Sequence, residues 1–128
     1  MDLTIRIPRT DLRFYISRFY NLVERGDLNV ELFLHARIRD DEYFIQECYY
    51  ADCYMLNYAV ERGQYEIAIA LSSFPQIMKY LEMSDTKGKT PLDWAIYNND
   101  SDMILFLISK DAIVDFTGLK KIVWNAFT

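Results

Sequence analysis

One spacing governs this chain. When Ala59 is set on Ala95, 36 residues later, Leu56 falls on Leu92, Tyr58 on Trp94, Ile67 on Met103 and Leu71 on Leu107. When Val23-Glu24-Arg25-Gly26 is set on the identical Val60-Glu61-Arg62-Gly63, 37 residues later, Val30 falls on Ile67 and Leu34 on Leu71. Within each copy the apolar residues stand three and four apart, the period of a helix with one buried face. Recurrence over tens of residues adds a second constraint. A single helix pair has an apolar flank it cannot bury alone, so neighbouring pairs must stack, and about three are needed for stability.

The third copy carries the clearest local chemistry. Gly88 supplies the permissive backbone of a tight turn, and Thr90 precedes Pro91 so that a hydroxyl caps a helix whose first position needs no amide hydrogen. Leu92, Ala95 and Ile96 form the apolar face of that helix. After the polar break Asn98-Asn99-Asp100-Ser101, a second helix runs through Met103, Ile104, Phe106, Leu107 and Ile108. The second copy keeps the apolar frame, with Gly63 at the turn that Asn99 takes later, but Asp52-Cys53-Tyr54-Met55 stands where Gly88-Lys89-Thr90-Pro91 stands. In the first copy the inner helix is expected through Leu12, Tyr15, Ile16, Phe19 and Leu22.

The run from Asp85 to Asp115 resembles one ankyrin repeat, in register and without a gap. Thr90-Pro91-Leu92-Asp93-Trp94-Ala95 matches that family's Thr-Pro-Leu-His-x-Ala signature, with Asp93 in place of histidine and Trp94 in place of a smaller residue, so a wider groove is needed beside it. The resemblance implies an all-α fold: an ankyrin-repeat solenoid of about three helix-turn-helix units with a short C-terminal capping helix. Residues 1–128 are then a single domain, divided into a degenerate repeat over 10–39, a repeat with a loop insertion over 49–84, the best repeat over 85–117 and a terminal cap helix over 118–128. Because 36 and 37 exceed the family's 33 residues, extra loops are expected near Ser72 to Tyr80 and Arg39 to Tyr49, with Pro75 opening a short helix through Leu81. Leu3, Ile5 and Ile7 read as a short extended lead before Pro8, with no apolar run of signal-peptide length.

The resemblance also implies a function, non-enzymatic binding of other proteins through a concave face of turn tips and inner-helix sides. Carried over by position, that face comprises Thr86, Lys87, Lys89, Tyr97 and Asn98 in the third unit. In the second it comprises Tyr50, Ala51, Cys53, Glu61 and Arg62, and in the first Glu24 and Arg25. Tyr49, Tyr50 and Tyr54 divide between core filling and an interface role, since tyrosine is enriched where interfaces are strongest. A compact array with degenerate repeats, rich in Tyr, Phe, Ile, Asn and Asp, also looks like the small ankyrin proteins of large viruses or intracellular bacteria. That style implies a host factor as the inhibited partner and the host cytoplasm as the setting.

Other chemistries find little support. The 128 residues carry a net charge of −5, from 19 acidic against 14 basic residues, which disfavours nucleic acid as the main partner. No apolar run approaches a membrane-spanning length, and two cysteines in a chain that can build its own core suit an intracellular setting. Gly88-Lys89-Thr90 imitates the end of a phosphate-binding loop, but Met83 stands where its first glycine belongs. Cys48, Cys53 and the single histidine His35 are too few for a zinc site. Asp40-Asp41-Glu42 reads as a solvated loop. No cofactor, metal or catalytic residue is therefore expected. The alternative reading is a structural or assembly protein that self-associates through apolar repeat ends, carried by Ile122, Val123, Trp124 and Phe127. Mimicry of nucleic acid is a weaker third reading, because the acids are scattered among bases.

Overall fold

Proline or a capping side chain opens some of the helices, and a left-handed residue closes several of them. A computed structural model describes residues 9–112. It contains α1 (Arg9–Glu24), α2 (Val30–Asp40), α3 (Phe44–Tyr50), α4 (Met55–Glu61), α5 (Tyr65–Leu71), α6 (Pro75–Met78), α7 (Pro91–Tyr97) and α8 (Ser101–Ser109). No strand occurs among the described residues. The expected lead over 1–8 and cap over 118–128 lie outside the described residues.

The three hairpins are α1/α2, α4/α5 and α7/α8, and each pair packs together. Their turns share one geometry. Gly26, Gly63 and Asn99 sit at φ of 63°, 68° and 55°. In each case the next amide reaches back to close the helix: Asp27 N to Leu22 O, Gln64 N to Ala59 O, and Asp100 N to Ala95 O, at 2.9, 2.9 and 3.0 Å. This is the six-to-one bond of a Schellman cap, and the left-handed residue it demands explains two glycines and an asparagine. The 37- and 36-residue offsets read from sequence are thus offsets between equivalent turns.

Leu22, Val23, Leu34, Val60, Ala59, Ile67, Leu71, Ala95, Met103 and Leu107 are buried in one continuous core. Units join through it, α2 against α5 and α4 against α7. The linkers differ from expectation in one place. Arg39 to Tyr49 was expected as a loop, but Phe44, Ile45 and Cys48 are buried on one face of α3, which packs on α1, α2 and α6. Asp41 is not solvated as expected either. It is 2% exposed, and its Oδ1 accepts from Tyr43 N at 2.9 Å at the entrance to α3. Pro75 does open a short helix, α6, which ends at Met78.

Candidate protein-binding face

The third unit's turn is organised by one carboxylate. Asp85 Oδ1 accepts from the backbone amides of Lys87 and Lys89 at 3.0 and 3.1 Å, and its Oδ2 accepts from Trp94 Nε1 at 2.7 Å. Gly88, at φ 76°, closes the turn with its amide on Asp85 O. The wide indole is therefore seated by a hydrogen bond as well as by space, and it is only 6% exposed. Helix α7 then starts with a reciprocal cap: Thr90 Oγ1 accepts from Asp93 N at 3.2 Å, and Asp93 Oδ2 accepts from Thr90 N at 3.0 Å. Asp93, in the signature's histidine position, is thus the second half of a capping box.

The second unit lacks Gly88 and the Thr-Pro pair, yet it makes the equivalent bend. Asp52, 36 residues before Gly88, takes φ of 60°, and Asp is among the side chains that best tolerate that region. Tyr54 supplies no side-chain cap. The buried side chain of Asn57 instead ties this unit to the next, donating to Lys89 O at 2.8 Å and Met83 O at 3.3 Å.

The residues expected to bind divide into two groups. Lys87, Lys89, Tyr97 and Glu61 come together on one face. Lys87 Nζ meets Glu61 Oε1 at 3.1 Å and lies 5.3 Å from the Trp94 ring. Lys89 Nζ lies 5.5 Å from Trp94 and 5.1 Å from Tyr97, in reach of cation–π attraction. Tyr97, edge-on to Trp94 at 5.6 Å, leaves 70% of its surface to solvent. Thr86 is exposed at the turn tip. Asn98 has an internal task, its amide donating to Val60 O and Glu61 O at 3.1 Å each and covering the last carbonyls of α4.

Arg62 also works internally. Its Nη2 lies 2.9 Å from Glu24 Oε1, and Tyr58 Oη donates to the same oxygen while its ring stands edge-on to Tyr20 at 4.5 Å. Glu24, Arg62 and Tyr58 thereby fasten the first unit to the second. Burial first, and the bond to Glu24 next, push the Tyr58 phenol above its ordinary pKa. Arg25 is exposed.

The remaining expected positions lie apart. Tyr50 is 71% exposed, at the rim of a cleft of about 460 Å³ between α1 and α3 that Leu12, Arg13, Ile16 and Glu47 also line. Ala51 is exposed beside it. Cys53 is a correction: at 3% exposure it belongs to the core and cannot meet a partner. Of the tyrosine trio, Tyr49 is filler, stacked on Tyr80 at 4.1 Å and edge-on to Tyr54 at 5.6 Å.

Cys48 and Cys53 are free, buried thiols. The hydrogen bond to Cys53 and then burial push the Cys48 thiol far up, so it is protonated and inert at neutral pH. Among the described residues no three His, Cys, Asp or Glu side chains converge as metal ligands, and no helix is long and apolar enough to cross a membrane. Lys89 lies against aromatic rings, with no strand before its turn, so the turn is not a phosphate loop.

A family model described as ankyrin repeats (3 copies) matches residues 20–117. The chain belongs to the ankyrin-repeat family. The match spans the hairpins α4/α5 and α7/α8 and, in the first hairpin, the end of α1 and all of α2. Ankyrin arrays are in general protein-interaction modules and typically not enzymes. Neither a curated protein nor a solved structure matches this chain.

Proposed function

We propose that this ankyrin array binds another protein across the turn tips and inner-helix ends of its second and third units, with Lys89 and Tyr97 at the centre of the contact. The observation that supports the reading is the pair itself. Tyr97 presents most of a ring to solvent, and Lys89 is held against that ring with no carboxylate partner among the described residues. The amphipathic ring offers apolar area at small entropic cost, as tyrosine does in interface hot spots, and the adjacent unneutralised cation adds a charge for an acidic group of the partner. Thr86, Lys87 and Glu61 form the rim.

The partner is a protein met inside the cell, in the cytoplasm. In the finer form of the proposal it is a host factor, bound and thereby inhibited, on the strength of the array's resemblance to small viral and bacterial ankyrin proteins. The test is affinity purification from the native cell with the wild-type chain and with a Lys89→Ala/Tyr97→Ala variant. Arg62 is left intact because it fastens two units. A partner retained equally by both would refute the assignment. Self-association through Ile122, Val123, Trp124 and Phe127 falls outside the described residues, and sedimentation over a concentration series separates it from partner binding.

A further inference from the structure

The opposite side of the array carries a second pattern that the proposed binding face does not use. Leu32, Ile69 and Leu105 stand at one register position, 37 and 36 residues apart, on the three outer helices α2, α5 and α8. All three are exposed, at 70%, 39% and 66%. One turn earlier, Leu28 and Tyr65 repeat the match and are also exposed. Single exposed aliphatics are ordinary, but a row repeated in register along adjoining helices makes an apolar strip across them. The helices do adjoin: α2 packs on α5, and Tyr65 of α5 meets Phe106 of α8 edge-on at 6.0 Å.

Acids border the strip. Glu31, Glu66 and Asp102 stand in the first turns of the three outer helices and are exposed. Each favours its own helix dipole there; Glu66 and Asp102, 36 residues apart and three residues before Ile69 and Leu105, share one register position and make that flank negative, whereas Glu31, one residue before Leu32, lies off it. Among the described residues Glu66 and Asp102 enter no ion pair, and Glu31 has only His35, at 3.9 Å. A second copy of this chain would bring acids against acids, in a molecule already at −5. A basic partner is complementary.

We infer that the outer-helix strip docks a basic amphipathic helix of another protein, laid across α2, α5 and α8. Packed helices lie about 10 Å apart, and a helix rises about 1.5 Å per residue. One partner residue in about every seven therefore falls on each of Leu32, Ile69 and Leu105, a seven-residue apolar repeat with lysine or arginine along the edge facing Glu66 and Asp102. The full-length chain can be tested with a fluorescent alanine-based peptide of about 20 residues, carrying leucine at about every seventh position and lysine along one edge. Anisotropy should show binding that weakens about tenfold or more in a Leu32→Ser/Ile69→Ser/Leu105→Ser variant with unchanged circular dichroism. A peptide with glutamate replacing lysine should weaken similarly, while Lys89→Ala/Tyr97→Ala should bind as wild type, separating this strip from the opposite face. No binding, equal binding by the triple variant, or a wild-type dimer in sedimentation that the triple variant loses would overturn the inference.

Discussion

Asn57 offers the sharpest test of how these units hold together. Its amide bridges two carbonyls of the following turn, at Lys89 and Met83, from a position 3% exposed. In Asn57→Ala both carbonyls lose this donor, while Lys89 O keeps the amide of Asp85 at 2.9 Å. At about 1 kcal/mol per bond, the destabilisation is at most about 2 kcal/mol, the 3.3 Å bond being the weaker. In urea the midpoint should fall by about 1 M, read by circular dichroism and tryptophan fluorescence. Asn57→Asp sharpens the test because an ionised carboxylate only accepts and would face two acceptors. It should cost more than alanine at neutral pH, and burial would raise the new carboxyl's pKa. The excess cost is then absent below the unfolded carboxyl pKa and grows as pH rises through it. An alanine variant within about 0.5 kcal/mol of wild type, or an aspartate variant no worse than alanine at neutral pH, would show that the bridge is incidental.

Two further expectations follow from the turns and the half-buried phenols. Gly63→Ala should destabilise by about 1 kcal/mol from backbone strain alone, since φ is 68° and no atom lies within 4 Å of an added Cβ. Asn99→Gly, at the equivalent turn, should be close to neutral in the same urea assay. Tyr20, Tyr54, Tyr58 and Tyr80 are shifted up chiefly by desolvation, and Cys48 by its bond to Cys53 and by burial. Groups raised in the folded state stabilise fully below their unfolded values, 10.0 for tyrosine and 9.0 for cysteine, and that contribution is lost as pH climbs beyond them. Urea midpoints should hold steady to about pH 8.5 and then fall; a flat profile to about pH 11 would contradict the burial argument.

The sequence disclosed what depends on period and on punctuation. Alignment of Val23–Gly26 with Val60–Gly63 found the turns because left-handed backbone restricts the residue choice, and Thr90-Pro91 marked the start of α7 because few pairs suit that position. Polar residues that work through tertiary contacts stayed hidden. Nothing local marks Asn57, Asn98 and Asp85 for the contacts they make with partners 9 to 38 residues away. Asp93 could have been found, since a threonine three residues before an acid is a capping pattern. So could α3, from Phe44, Ile45 and Cys48 at helical spacing, but the expectation of a loop insertion overrode it. The proposed binding face was half legible. Position on the repeat selected Lys87, Lys89, Tyr97 and Glu61, but it could not reveal that Arg62 and Asn98 spend their side chains on neighbouring units, or that Cys53 faces inward.

Because the chain's two sulfhydryls are both shut inside, a thiol-specific dye can modify the native protein only when the region between α3 and α4 comes apart. Its uptake is therefore a built-in clock for breathing where the first two units meet, with no probe engineered in. A ligand clasped by the array would slow that clock to the extent that it braces this part of the stack.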